Sequence, residues 1–341
     1  MPNNRPKSID ALMRYLRDQK GINISGSYQK RKLMNIGYYH AYKGYRYINT
    51  PSNQVSYRSF DELVAVYDFD SQLKSSLYPA VMFIETALKN YVLDAVVTRA
   101  HTDNFNQVYI SLLDNYKSFS LVGRTFKNPD QRRKAEEKYN KEIKRRLELR
   151  NRIYRSQTEA FSNKNSIAVH FLSNNRSMPI WAIFELLTLG EFGSFVACLN
   201  QPCRLDISHK LGIRPVDDTS GYLPQRLIYA IRDLRNAIAH NDVVFDARFK
   251  TGSIDKQVGN AIYNVSSIGP LSFDTITDWI VLIIYIMKLL KVSKTEMKRV
   301  IASFEDSVER LRSNVSTSIF TQIIHTDYHA KIKALKTFVS K

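Results

Sequence analysis

A long helical pattern occupies residues 59–98 of the 341-residue chain. Ser59 and Glu62 have the spacing of a capping box, which starts a helix. In the second half of the segment, apolar residues recur at intervals of three and four, which places them on one helix face: Val81, Ile84, Leu88 and Val92. Glu85 and Lys89 are spaced as an i, i+4 pair, and we expect both charges to face solvent; the alternative is that Glu85 points inward as a polar partner.

Weaker patterns flank this segment, and most of them also have a helical period. We predict a mainly α fold, a helical bundle with a charged helical insertion. The remaining elements are a helix over Ile9–Asp18, an irregular stretch at 100–125, a charged helix at 129–160, an apolar pair of helices at 178–200 broken near Gly190, a helix at 221–241, a short hairpin within 243–270, and closing helices at Phe273–Val292 and Lys294–Ser313.

The charge of the chain is strongly basic. The chain contains 50 Lys and Arg residues and 32 acidic residues, which gives a formal net charge of +18. Such a field attracts polyanions, and the release of counterions favours nucleic acid above other partners. A basic surface without a function is the alternative.

Cysteine usage and hydropathy restrict the class of protein further. Cys198 and Cys203 form neither a disulfide framework nor a zinc motif, and we expect two buried thiols in a reducing compartment. We also expect no metal and no cofactor. The longest apolar run, Trp279–Met287, is far shorter than the roughly 20 residues of a membrane span. The N-terminus lacks the apolar core of a signal peptide. We therefore expect a soluble cytoplasmic protein that makes no membrane contact.

Two basic segments are candidate RNA-binding surfaces. In residues 31–48, tyrosines alternate with basic side chains, which can stack on bases and neutralise phosphates; a tyrosine-rich packing face is an equal alternative. The charged helix at 129–160 is either an arm that binds phosphates, in the form of a projecting hairpin, or a solvated helix face. The candidate contacts are Arg31, Lys32, Tyr38, Tyr39, His40, Lys43, Tyr45, Arg46, Arg132, Arg133, Lys144 and Arg145.

The segment RDLRNAIAHND, Arg232–Asp242, contains an arginine and a histidine separated by four residues. At about 100° per residue, an apolar stripe of Leu227, Ile231, Leu234 and Ile238 packs inward. Asp233, Asn236 and His240 then share the opposite face, and Arg235 lies at the margin of the stripe. A second match, RLDISH at Arg204–His209, lacks this organisation, and we interpret it as a chance match.

The first motif carries the groups that RNA cleavage requires. Histidine can take the proton of a 2′-hydroxyl or protonate a leaving 5′-oxygen near neutral pH. A guanidinium can stabilise the charge that accumulates on the phosphate, and Asn236 can orient either group. No metal is required. One histidine is few for acid and base catalysis together, and a symmetric dimer that placed two motifs in one cleft would solve this problem. The alternative is that His240 is an ordinary histidine near a helix interface.

The motif resembles the signature of the HEPN superfamily in its RN-x₃-H form. Three further blocks resemble the Abi-like abortive-infection proteins of the AbiD/AbiF group, in that family's order: Ile36–Tyr47, Tyr67–Val92 and Met178–Phe195. The resemblance implies a metal-independent endoribonuclease with Arg235, Asn236 and His240 as active residues. It also implies a homodimer through the motif helix, and a bacterial toxin of anti-phage defence controlled by a small noncoding RNA. Glu85 and Glu185 match block positions, and we expect structural roles for them.

The predicted organisation is a basic tyrosine-rich region at 1–57 and a HEPN-like helical domain at 58–341, with the charged helical arm at about 127–160. Two other functions remain open. One is a non-catalytic RNA-binding module, and the other is a sensor or adaptor in defence.

Overall fold

The computed structural model describes residues 8–341. Its α-helices are α1 Ile9–Arg14, α2 Gly26–Tyr38, α3 Phe60–Ala100, α4 Phe105–Ser111, α5 Pro129–Ser162, α6 Ser166–Leu172, α7 Ile180–Leu186, α8 Leu189–Cys198, α9 Gln201–Lys210, α10 Leu223–Ala239, α11 Lys256–Ser266, α12 Ile276–Leu289, α13 Lys294–Asn314, α14 Thr317–Ile323 and α15 Tyr328–Ser340. Within the described residues, β-structure is limited to isolated bridges. The predicted mainly α fold is confirmed.

The long helix α3 begins where the capping box predicted. The amide of Glu62 donates to Ser59 Oγ at 3.2 Å, and the amide of Ser59 donates to Glu62 Oε2 at 3.4 Å. The helix continues through Pro79 to Ala100. Glu85 and Lys89 pair at 3.0 Å, but both are buried, and Lys89 also donates to the carbonyl of Leu187. The expectation that they face solvent is wrong, because this side of α3 packs into the core.

Four other predictions are corrected. The 243–270 segment forms a 3₁₀ turn at Ala247–Phe249 and helix α11 instead of a hairpin. The stretch at 100–125 contains α4. The apolar pair breaks before Thr188, because that residue and Glu191 form a capping box that starts α8. The charged helix predicted at 129–160 is confirmed as one continuous helix, α5, and only the alternative of a projecting hairpin is wrong. The sequence reading also missed α14 and α15.

The chain divides into two compact units. The first contains the described residues up to Met82, Asp233–Ser253 and Val265–Lys341; the second contains Phe83–Arg232 and Ile254–Asn264. The core of the first unit is built on α12, which is buried from Ile276 to Met287 and packs against α13 and α15. In the second unit α5 packs against α7 and α8. The predicted boundary near residue 57 stays a prediction, and residues 1–7 of that region lie outside the described part.

No helix in the described part of the chain is long and apolar enough to cross a bilayer.

A buried ion pair ties α15 to the start of α12. Asp278 is fully buried and accepts hydrogen bonds from the amides of Ser272 and Phe273 at 3.0 and 2.9 Å. Lys331 Nζ lies 2.6 Å from its carboxylate and 2.6 Å from that of Asp327. Burial lowers the pKa of Lys331, but the two carboxylates raise it by more, so its net shift is upward. The ammonium therefore stays charged inside the unit.

We expect Lys331→Met to lower the free energy of unfolding by about 3 kcal/mol, because it leaves the carboxylate of Asp278 buried without its counter-charge. Urea denaturation followed by tryptophan fluorescence measures this, since Trp279 lies next to Asp278. Lys336→Met is the control: it breaks an exposed pair with Glu305 and should cost less than about 1 kcal/mol. Equal losses in the two variants would contradict the prediction.

Candidate functional site

The predicted motif lies at the C-terminal end of α10. The stripe of Leu227, Ile231 and Leu234 is fully buried, as predicted. Arg235 and Asn236 are half-buried, and Arg235 Nη1 donates to Asn236 Oδ1 at 3.2 Å. His240 follows the last helical residue and is exposed, and its ring makes no hydrogen bond to any residue that the structure describes.

Asp233 does not share the open face of the helix. It is 6% exposed, and its carboxylate accepts from the amide and hydroxyl of Thr251 at 2.9 and 2.7 Å. The prediction that grouped it with Asn236 and His240 is therefore wrong. The chain turns back after α10, and Thr251 covers this side of the helix.

The turn after His240 has the geometry of a Schellman motif. The amide of Asp242 donates to the carbonyl of Ala237 at 2.8 Å, and that of Asn241 to the carbonyl of Ile238 at 3.3 Å. Asn241 has a φ of 58°, in the left-handed region that asparagine tolerates better than most residues. The motif's final His-Asn pair thus ends the helix and fixes where the imidazole leaves it.

A buried carboxylate holds the chain that follows this turn. Asp70 in α3 is fully buried and accepts from the amides of Val244 and Phe245 at 2.6 and 2.7 Å. The hydroxyl of Tyr45 donates to it at 2.9 Å, and Lys74 Nζ lies 2.8 Å away. Lys74 also donates to Asn241 Oδ1 at 2.7 Å. One carboxylate thereby connects the tyrosine-rich segment, α3 and the motif turn.

Tyr45 is consequently a core residue. It is fully buried, and both burial and its hydrogen bond to Asp70 raise the pKa of its hydroxyl. The prediction that Tyr45 contacts RNA is corrected, because its ring packs against Tyr67 and Phe245 and offers no face to a base.

A second polar clamp holds the tyrosine-rich segment near the motif turn. Arg248 binds both carboxylate oxygens of Asp246 and donates to the carbonyls of Gly44 and Tyr47. Gly44 also approaches the motif turn closely: a Cβ built on it would lie 3.2 Å from Val243 Cγ2. A Cβ at position 44 would therefore require Val243 to shift by a few tenths of an ångström.

These contacts enclose a cavity of about 480 Å³ beside the motif. Its lining brings Asn236 together with three of the candidate RNA contacts, Tyr39, Lys43 and Arg46, and adds Asp242. Arg235 and His240 are not among its lining residues. The described geometry therefore joins Asn236 to the tyrosine-rich segment and leaves His240 on an open surface.

The other candidates of the tyrosine-rich segment are less directly placed. Arg31 is exposed, and Lys32 is half-buried with Asp68 at 3.9 Å. Tyr38 stacks on Tyr42, and burial and Tyr15 raise the pKa of its hydroxyl to about 12. His40 packs edge-on against Tyr39.

The candidates on α5 belong to the second unit. Arg132, Arg133 and Lys144 are exposed, whereas Arg145 is held by both carboxylate oxygens of Glu142 at 2.9 and 3.0 Å. A groove of about 340 Å³ along this helix is lined by Lys141, Lys144, Arg145 and Arg152, and also by the acidic Glu148. It is a basic surface, as the composition of the segment predicted.

The second motif match is built differently. Arg204 is 2% exposed, donates to Asn115 Oδ1 at 2.7 Å and to the carbonyl of Leu199, and stacks on Tyr222. Burial lowers its pKa. His209 is exposed. Arg204 is thus a structural brace of the second unit, which agrees with our interpretation of this match as chance.

The described residues offer little support for a metal site or for a cysteine nucleophile. No group of three or more His, Cys, Asp or Glu side chains is arranged to hold a metal ion in residues 8–341. Cys198 and Cys203 are both buried, and burial raises the pKa of each thiol to about 12, so neither is a nucleophile at neutral pH.

Sequence reasoning missed Asp70, Lys74 and Arg248, which position the site. A signal for the first two was present. Asp70 lies four residues after Val66 and three before Leu73, so the helical period puts it on the apolar face of α3, with Lys74 one turn later. Two opposite charges on an apolar face predict a buried pair. Arg248 left no comparable signal, because it pairs with Asp246 outside any periodic element and its other partners are the backbone carbonyls of Gly44 and Tyr47.

The fold and the site define a helical protein with an arginine-histidine motif at a helix end. The Abi-like protein family matches residues 31–246, more than half of the chain, and the chain belongs to this family. All four sequence blocks that resembled such proteins lie within the match. No curated protein and no solved structure matches the chain significantly.

We expect Asp70→Asn to lower the free energy of unfolding by about 3 kcal/mol. The amide removes the charge that Lys74 requires and turns a donor toward it, which leaves a buried ammonium poorly compensated. Asp68→Asn, two residues away and half-buried, is the matched control and should cost less than about 1 kcal/mol. Urea denaturation compares them; a small loss in Asp70→Asn would show that the buried carboxylate does not hold the turn.

The turn itself is tested by Asn241→Gly and Asn241→Ala. Both variants lose the acceptor for Lys74, at about 1 kcal/mol. Only alanine adds the strain of a left-handed backbone, about 1 kcal/mol more. Thermal unfolding should therefore rank wild type above Asn241→Gly and Asn241→Gly above Asn241→Ala. An alanine variant as stable as the glycine variant would argue against the Schellman geometry.

Proposed function

We propose that the chain is a HEPN-type, metal-independent endoribonuclease of the AbiD/AbiF group that acts as a toxin in abortive-infection defence. The observation that carries the proposal is the end of α10. There, a family member presents an exposed His240 whose ring makes no hydrogen bond to a residue in 8–341, one turn after Arg235 and Asn236. Family membership supports the role in abortive infection, and the motif supports the chemistry.

The proposed reaction uses the 2′-hydroxyl of the RNA as nucleophile. Histidine takes its proton as the oxygen attacks the adjacent phosphorus, and a 2′,3′-cyclic phosphate forms. The bond to the 5′-oxygen breaks, and that oxygen receives a proton. Arg235 stabilises the charge on the non-bridging oxygens with its fork of donors. Asn236, which accepts from Arg235, acts as a positioning residue for the guanidinium.

A homodimer completes this scheme. Base and acid must act on opposite sides of the phosphorus, and one chain offers a single motif histidine. Pairing of two α10 ends around an axis places the second His240 where the leaving oxygen needs a proton. The exposure of His240 leaves it accessible to such a partner and to RNA.

We assign the binding of RNA, and control by RNA, to the basic surfaces. We place the protein in the cytoplasm. Lys43 and Arg46 border the motif cavity, and α5 carries a basic groove. Polyanion binding to such surfaces depends strongly on salt. A small noncoding RNA that occupies them would hold the toxin inactive until infection.

The decisive variant is His240→Ala. In cells it should abolish the growth arrest caused by wild type, and the purified variant should lose at least about 100-fold in RNA cleavage, the scale of general acid–base catalysis. His209→Ala is the matched control, because His209 is exposed and ends the second arginine–histidine match. Wild-type cleavage should persist in excess chelator. Equal toxicity of wild type and His240→Ala would refute the nuclease proposal.

A non-catalytic RNA-binding module is the second candidate. One observation favours it: the cavity that gathers Tyr39, Lys43 and Arg46 is not lined by Arg235 or His240. In that case RNA would bind with strong salt dependence and remain intact.

A further inference from the structure

The cavity beside the motif carries side chains that the cleavage step does not use. Its volume of about 480 Å³ lies within the range of small-molecule and nucleotide pockets, about 300–1,000 Å³. Tyr39 lines it and is 61% exposed, so its ring is accessible to a ligand in the cavity. An exposed ring at the edge of a cavity is a platform on which a base can stack.

Two cations at the cavity are available for phosphate. Lys43 and Arg46 line it, and neither forms an ion pair with a described residue; each lies near a tyrosine ring, Tyr38 and Tyr47 respectively, at 5.7 and 5.9 Å. The third cation, Arg248, is already bound by Asp246 and two carbonyls. Of the three cations in the lining, Arg248 is therefore structural, whereas Lys43 and Arg46 form no ion pair with a described residue.

The cavity also contains polar groups suited to a base edge. Asp242 is exposed, and its carboxylate makes no hydrogen bond or ion pair with the described residues, although its backbone is fixed by the Schellman turn. Arg235 occupies Asn236 Oδ1, so the amide nitrogen of Asn236 is left to donate. A carboxylate offers two neighbouring acceptors, and guanine is the RNA base whose Watson–Crick edge offers two neighbouring N–H donors.

We propose that this cavity binds one unpaired nucleotide of RNA and prefers guanine. Tyr39 stacks on the base, Asp242 accepts from its N1–H and N2–H groups, and Lys43 and Arg46 hold the adjacent phosphates. The inference rests on the proposed function in that the bound strand is the one His240 cuts. It assigns sequence preference to Asp242, a residue outside the Arg235–His240 pair.

The test measures RNA binding in a background that does not cut. Full-length His240→Ala protein is titrated with fluorescent five-nucleotide RNAs, four uridines around a central G, A, C or U, and anisotropy gives each affinity. We expect the G-centred RNA to bind about ten-fold more tightly than the others, the scale of one bidentate base contact. Tyr39→Ala should weaken it about ten-fold, and the matched control Tyr28→Ala, 73% exposed in α2, should not.

Asp242→Asn provides the specific readout. Removing a negative charge strengthens binding of every RNA, so the ratio of affinities is the measure. We expect the preference for G to fall about ten-fold, while Asp306→Asn, exposed in α13, leaves it unchanged. Lys43→Gln with Arg46→Gln should reduce the salt dependence by about 0.7 per phosphate contact, whereas Lys298→Gln with Arg299→Gln, also exposed in α13, should not.

Three outcomes overturn the proposal: equal affinity for the four RNAs, an unchanged preference in Asp242→Asn, or binding of guanosine monophosphate alone with no binding of the RNAs. The third would identify a free nucleotide as the ligand. A preference for G that Asp242→Asn abolishes supports the cavity even if wild-type protein cuts no RNA, in which case the nuclease proposal alone fails. If the wild type cuts RNA but binding shows no base preference, the nuclease proposal stands and the guanine proposal fails.

Discussion

The buried carboxylate of Asp70 is the contact on which the candidate site depends. It receives donors from the tyrosine-rich segment, from α3 and from the chain after α10. A desolvated carboxylate is tolerated only while such donors surround it. The loss of any one donor would leave the buried carboxylate incompletely hydrogen-bonded, so the network holds the three segments together. Lys74 extends the network to Asn241, so the burial of one charge sets the position of the motif turn.

This arrangement divides the end of α10 between two surfaces. Asn236 faces the cavity, whereas His240, one turn later and at the helix cap, is exposed. The amide of His240 still donates to the carbonyl of Asn236 at 2.9 Å, so His240 is the last residue on the hydrogen-bond ladder of α10. The left-handed Asn241 ends the helix immediately after it, which leaves the imidazole at the exposed end of α10. The cap thus separates the proposed role of holding a nucleotide from that of moving a proton.

Much of the fold could be predicted because helical period is local. The stripe of α10 and the capping box of α3 follow from neighbouring residues alone. The predicted positions were wrong for Asp233, Tyr45 and Glu85. Each of these residues is polar or amphipathic, and each is buried by a distant partner or on a face that was expected to be exposed. Asp233 needs Thr251, and Tyr45 needs Asp70. Such pairings depend on how the chain returns, which no local pattern encodes.

The same reasoning refines what the net charge means. A total of +18 favours polyanions, but it counts every cation equally. In the first unit, ion pairs with carboxylates hold Lys74, Arg248 and Lys331. Removing one of these cations would alter stability before it altered binding. In the second unit Arg204 is committed to neutral acceptors, Asn115 and the carbonyl of Leu199. Lys43 and Arg46 differ, because no described carboxylate neutralises them and aromatic rings lie beside them. Such cations gain most from a phosphate, since they break no internal pair to meet it. The case for RNA at this site therefore rests on which charges the fold leaves unpaired, and much less on their total.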